Sequence, residues 1–144
     1  MKVLFDTSVL VAGLVESHPM HSRAFPWLEK ATSGDIELVV SNHTLAELYS
    51  VLATLPLQPR ISPAVAWQLT TGVLEASTAQ IELSTADYKD VVSRMVELGL
   101  AGGIIYDGLI AWAAEKSGVD QLLTLNEDHF LRVWPENHEL ITTP

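Results

Sequence analysis

Four acids in this chain of 144 residues could share one piece of chemistry: Asp6, Glu47, Asp107 and Asp128. Carboxylates brought together without cations repel, and the conflict is relieved either by protonation or by a hard divalent cation that takes oxygen ligands. Mg2+ or Mn2+ held by carboxylates and waters can activate a water and offset charge on a phosphoryl oxygen. Two such ions about 3.5 to 4 Å apart can flank an in-line displacement. The acids are far apart in the chain, so the fold has to assemble them. Taken singly, each has a plainer reading: Asp6 as a helix cap, Glu47 as a solvated helix residue, Asp107 as a favourable charge at a helix N-terminus, Asp128 as a loop acid. Thr7, Ser8 and Thr124 add hydroxyls that could hydrogen-bond the carboxylates or a phosphate, or simply close turns.

The elements that must position these groups are legible as alternating strands and helices. Lys2 to Phe5 reads as a buried strand ending at Asp6, with Thr7 or Ser8 capping a helix over Val9 to Ala12. A second helix follows from about His21 to Ala31. Ile36 to Val40 is the next strand, and Ser41-Asn42 caps a helix whose Leu45, Leu48, Val51, Leu52 and Leu55 keep the helical period. Pro56, Pro59 and Pro63 mark a loop around Arg60, and Ser62-Pro63 starts a helix through about Ala76. Gln80 to Leu83 is a third strand. Ser84-Thr85-Ala86-Asp87 matches a capping box for a helix to about Leu98, broken by Gly99, Gly102 and Gly103. Asp107 opens a small-residue-rich helix that ends near Gly118. Gln121 to Leu125 is a fourth strand, followed by the polar Asn126 to His129, and Glu139 to Thr142 forms a short last strand. This alternation predicts an α/β fold with a mainly parallel sheet of four or five strands covered on both faces, spanning residues 1–144 as one domain. Parallel sheets bind ligands beyond the carboxyl ends of their strands, where Asp6 and Asp128 fall.

Composition narrows the classes. With no cysteine, disulfides, thiolate metal sites and cysteine nucleophiles are excluded. No segment reads as an export signal or a membrane span, which predicts a soluble cytoplasmic protein with no membrane partner. Eight Lys and Arg against eighteen Asp and Glu give a formal charge of -10. Nucleic-acid binders usually draw affinity from basic residues, so phosphate chemistry here would need metal ions. Arg60, Arg94 and Arg132 are candidates for backbone contacts, and Trp27, Trp67, Trp112 and Trp134 are either base-stacking or packed residues. The five histidines do not assemble a zinc set by spacing; only His43 lies one helical turn from Glu47.

Four segments resemble, in order, the motifs of PIN-domain nucleases, in particular the VapC-type toxins of bacterial toxin-antitoxin pairs. They are Val3-Leu4-Phe5-Asp6-Thr7-Ser8-Val9-Leu10, Leu45-Ala46-Glu47-Leu48, Gly103 to Ala111 around Asp107, and Leu122 to Phe130. The resemblance implies a three-layer α/β/α PIN-like domain in which Asp6, Glu47 and Asp107 hold Mg2+, with Mn2+ able to substitute. The fourth ligand comes from the 126–128 segment, with Asp128 as the acid and Asn126 as a neutral oxygen ligand or water-positioning group. Thr7, Ser8 and Thr124 stand as substrate-side hydroxyls. The reaction implied is hydrolysis of RNA phosphodiester bonds by the toxin of a type II pair, acting as a homodimer and inhibited by a cognate antitoxin protein. Two other readings compete: a PIN-like binding scaffold that has lost catalysis, and a phosphatase with Asp6 as nucleophile. The phosphatase is disfavoured by Ser8 standing where a second Asp would be wanted.

Overall fold

Alternation along short apolar runs decides which way their side chains point. In the computed structural model, which describes all 144 residues, five strands form one sheet. They are Lys2–Phe5 (β1), Glu37–Ser41 (β2), Ala79–Ile81 (β3), Gln121–Leu123 (β4) and Ile141–Thr142 (β5), in the order β3-β2-β1-β4-β5 with every pair parallel. Val3, Phe5, Leu38 and Val40 face one core, packed under helices Thr7–Leu14 (α1), His21–Ser33 (α2), Asn42–Thr54 (α3) and Pro63–Ala76 (α4). Leu4, Val39 and Leu122 face the other, packed under Thr85–Leu98 (α5), Ile105–Ser117 (α6) and Glu127–Val133 (α7). A sheet buried on both faces needs apolar residues at every position, which is why β1 and β2 read as runs and not as half-polar strands. The three-layer α/β/α fold expected from the sequence is the one observed, with five strands. No helix is long and apolar enough to cross a membrane.

The chain steps from β1 outward to β3, then returns to place β4 and β5 on the other side of β1, so the order reverses between β1 and β4. The register pairs Phe5 with Leu123, which sets the next residues, Asp6 and Thr124, side by side at the carboxyl ends. The Asp6 amide donates to Leu123 O at 2.9 Å and extends that pairing by one residue.

The expected caps are present. Ser41 accepts from the His43 amide, Ser62 from the Val65 amide, and Ser84 with Asp87 forms the reciprocal box at the start of α5. Asp87 also accepts from Lys116 Nζ at 2.7 Å and from Trp112 Nε1 at 3.0 Å, tying α5 to α6. Lys116 and the hydrogen bonds around it hold the Asp87 carboxyl below the usual carboxylate range. Gly108 lets α6 lie close to α5: a Cβ there would meet Met95 Cε at 3.0 Å.

Several boundaries differ from the sequence reading, each for a local reason. The fourth strand stops at Leu123, not Leu125, because Thr124 Oγ1 accepts the Asn126 amide at 2.9 Å and turns the chain out of the ladder. Asn126 to His129 is not simply a polar loop: Glu127 opens α7, whose Phe130 and Val133 anchor it on the core. The third strand is Ala79–Ile81, and Leu83 instead turns down into the second core. The last strand shrinks to Ile141–Thr142 behind a 3-10 turn over Pro135–Leu140. Helix α6 starts two residues before Asp107, since the 3-10 turn Gly102–Ile104 runs directly into it. Helix α1 begins at Thr7 with Asp6 at its N-cap.

Phe5 is fully buried at the end of β1, edge-on to Trp27 with ring centroids 6.4 Å apart. Phe5→Ala is expected to cost about 3 to 5 kcal/mol in denaturant unfolding. Val96→Ala, on the exposed side of α5, is expected to stay within about 0.5 kcal/mol of the parent.

Candidate active site

Asp6 occupies an N-cap position, yet its side chain makes no capping bond to α1. Two hydroxyls claim its carboxylate instead. Ser8 Oγ donates to Asp6 Oδ2 at 2.6 Å and Thr124 Oγ1 donates to the same oxygen at 2.9 Å. Each hydroxyl in turn accepts a backbone amide from the turn after β4, Leu125 N–H on Ser8 Oγ at 3.0 Å and Asn126 N–H on Thr124 Oγ1 at 2.9 Å. An oxygen that accepts an amide proton directs its own proton elsewhere, so both hydroxyl protons are aimed at Asp6. Oδ1 receives neither. The residue is 2% exposed. Burial raises the Asp6 carboxyl above its ordinary value, against the hydroxyl bonds from Ser8 and Thr124, and nearby Glu47 adds to the rise.

Glu47 and Asp107 come to the same place from the two helix layers. Continuing the β1–β2 register sets Ser41 level with Asp6, and α3, capped by Ser41, carries Glu47 in its second turn. Asp107 sits in the first turn of α6, where the helix dipole favours an anion. Its carboxyl is nevertheless pushed up to about 6, first by burial and then by the negative charge of Asp6, with His129 pulling the other way and Glu47 adding a further rise. Three acids therefore feel one another with no Lys or Arg among the groups that set their charge. Glu47 Oε2 is buried and makes no hydrogen bond, although His43 Nε2 stands 3.1 Å away, one helical turn earlier.

The structure thus brings together Asp6, Glu47 and Asp107. Asp128 is exposed in the first turn of α7 and Asn126, also exposed, is the N-cap of that helix. In their place His129 reaches the site: Asp107 Oδ2 accepts from His129 Nδ1 at 3.1 Å. Ser8 and Thr124 are taken up by Asp6, and Thr7 is buried with its Oγ1 unpartnered. Of the arginines, Arg94 is structural, bonding Val133 O at 3.1 Å and Glu136. Trp134 is buried and Trp27 and Trp112 are partly buried, which leaves Trp67 as the exposed tryptophan. His43 and His129 were not singled out as site residues by spacing. The helical offset of His43 from Glu47 is the one signal for it, while His129 stands in the fourth resembling segment directly before Phe130, and its contact with Asp107 comes from tertiary structure.

A hard cation fits this donor set. Oxygen donors predominate, one buried carboxylate oxygen is orphaned, and two carboxyls are raised by burial and mutual repulsion that a positive charge would reverse. No group of three or more His, Asp or Glu side chains closes into a ready cage. A broad surface hollow lies elsewhere, around Gly13, His21, Phe25 and Lys30, and contains none of these acids.

The family model described as "PIN domain" matches residues 3–134. Ribonuclease VapC27 of Mycobacterium tuberculosis (strain ATCC 25618 / H37Rv) is 34% identical over 111 residues, covering 77% of this chain and 75% of that protein. Ribonuclease VapC40 of Mycobacterium tuberculosis (strain CDC 1551 / Oshkosh) is 32% identical over 119 residues, covering 83% and 82%. In the crystal structure of VapBC2 from Rickettsia felis bound to a DNA fragment from their promoter, one chain matches with a TM-score of 0.69 and 20% identity, covering 100% of this chain and 99% of that one. This last likeness is one of fold.

A carboxyl with a raised folded pKa holds its proton in the folded chain after the unfolded chain has lost it. Its contribution to stability is present below 3.8 and is lost as pH rises through about 6. The thermal midpoint of metal-free protein is therefore expected to fall across that window, and Asp107→Asn to flatten the fall. Identical pH profiles for the two proteins would contradict the assigned environment of Asp107.

Proposed function

This chain belongs to the PIN-domain family, and from that membership we propose that it is a divalent-metal-dependent endoribonuclease, the toxin of a type II toxin-antitoxin pair. The observation that carries the reading is the meeting of Asp6, Glu47 and Asp107, with no Lys or Arg among the groups that set their charge, where the strand order reverses. The similarity to two ribonucleases over most of their length supports RNA as the substrate. The fold shared with a VapBC structure supports a cognate antitoxin partner. The remaining parts of the proposal are a single PIN domain over residues 1–144, a homodimer, a cytoplasmic setting, and Mg2+ as the ion with Mn2+ as substitute.

When bound, such a cation supplies Lewis-acid charge against a phosphoryl oxygen and lowers the pKa of a water. Asp6 offers a carboxylate already oriented by Ser8 and Thr124. Asp107, steadied by His129, would hold the ion from the opposite helix layer. Glu47, with an unbonded oxygen, would either add a ligand or orient the attacking water. Asp128 is the proposed fourth acid and Asn126 the neutral oxygen donor; both are exposed at the start of α7. Thr7, Ser8 and Thr124 complete the proposed substrate side, the last two acting through Asp6.

Purified protein given a panel of structured RNAs is expected to cleave with Mn2+ or Mg2+, to stop with EDTA, and to lose on the order of 100- to 1000-fold in kcat in Asp6→Asn, the range for losing one charge-stabilising group. Equal cleavage by wild type and Asp6→Asn would remove the assignment. In calorimetric titration, Ser8→Ala is expected to bind Mn2+ roughly 10- to 100-fold more weakly, the usual effect of deleting a partner of a metal ligand. Unchanged affinity would show that the hydroxyl does not orient Asp6 for metal.

A further inference from the structure

Tyr106 immediately precedes Asp107 in the first turn of α6, and 53% of it is exposed. It does not hang free. The His43 ring lies against it with centroids 5.1 Å apart and planes 4° from parallel, while His43 Nε2 is itself 3.1 Å from Glu47 Oε2. Imidazole therefore lies against one face of the phenol, while the residue keeps much of its surface open to solvent. One residue away along α6 and one ring away from Glu47, a flat, oriented aromatic surface stands at the rim of the acidic site.

Cations are few here. Of eight Lys and Arg, Lys2 bonds Ser117 O, Lys30 covers the Trp27 ring, Arg94 bonds Glu136 and Lys116 bonds Asp87, which leaves Arg23, Arg60, Lys89 and Arg132 exposed against a net charge of -10. A net acidic nuclease gains little from phosphate contacts and needs an attractive term that does not depend on charge. Stacking of a base on an aromatic ring is such a term, and it serves any sequence because every base has a π face. We infer that Tyr106 is a substrate-binding residue, a platform on which a nucleobase flanking the scissile phosphate stacks, and that His43 is the positioning residue holding its ring parallel. This rests on the ribonuclease reading for its substrate, but its test does not rest on cleavage.

The experiment is equilibrium binding, by fluorescence anisotropy, of short labelled single-stranded oligo(rA) to the full chain in Ca2+, beside oligomers carrying one abasic ribose at successive positions. Steady-state cleavage in Mn2+ is measured in parallel. Tyr106→Ala is expected to weaken binding and raise KM by roughly 5- to 150-fold, the range for losing one stacked base, while kcat changes much less. Tyr106→Phe should restore both, since the ring and not the hydroxyl makes the contact. One abasic position should weaken binding to wild type and have no further effect on Tyr106→Ala. His43→Ala should give a smaller loss than Tyr106→Ala.

If oligo(rA) binds with this dependence and no RNA of the structured panel is cleaved in Mn2+ or Mg2+, the platform stands and the ribonuclease reading fails. If RNA is cleaved but Tyr106→Ala changes neither Kd nor KM, or the abasic and Tyr106 losses simply add, the platform is overturned and the ribonuclease stands. No binding of oligo(rA) by well-folded wild type overturns it as well. So does a Tyr106→Ala defect confined to inhibition by a protein partner, which would give the ring to that partner.

Discussion

The burial of the Asp6 carboxylate is the constraint from which the rest of the site follows. A carboxyl group at 2% exposure loses most of its hydration, and the fold returns only part of it through two hydroxyls on one oxygen. Those hydroxyls come from opposite ends of the sequence. They meet because β1 and β4 are neighbours in a register that sets Asp6 beside Thr124. Glu47 and Asp107 then add negative charge to a place that already disfavours it. Such an arrangement is stressed as it stands and relaxed by a cation, which is the condition for a protein to hold metal at a site also able to use it.

The two helix layers contribute differently to that stress. Asp107 enters at a helix N-terminus whose dipole tolerates its charge, and His129 partly offsets the remainder. Glu47 comes from the second turn of α3, away from any dipole advantage, with one oxygen left without a hydrogen bond. Gly108, next to Asp107, is also where α6 approaches α5 closely, with room for no Cβ without moving Met95 or Val91. Core packing and site geometry are one problem here, solved by the same few residues.

Much of this was legible in the sequence, because the governing signals are local. Strand β1 ending in an acid, the caps at Ser41, Ser62 and Ser84, and the alternation of strands with helices depend on residues a few positions apart. The rule that parallel sheets bind at their carboxyl ends points to Asp6 and to Asp128, which stands exposed in α7; the helix layout adds Glu47 and Asp107, and the resemblance joins the four into one set. What was not legible depends on long-range placement. Helix α7 is short and acidic at its start, and its existence rests on Phe130 and Val133 reaching a core that the sequence does not display. His129 acquires its role through Asp107 across the fold, and Arg94 its structural use through Val133 and Glu136. The stacking of Tyr106 on His43 joins two helices from different layers, so no periodicity announces it.

The pair of hydroxyl relays has a meaning for how this chain can change over evolutionary time. Turns between elements are ordinarily where a protein accepts insertions and deletions. The turn after β4 is not such a place, since the amides of Leu125 and Asn126 set the proton direction of the very groups that hold Asp6. One added residue there would leave strands, helices and all three acids intact while detuning the buried carboxylate. The Pro-rich connection between α3 and α4 makes no bond to that carboxylate; its Leu57 and Ile61 rest on the first core instead. The two loops look alike as connectors, and differ in that one is wired to the buried carboxylate of Asp6.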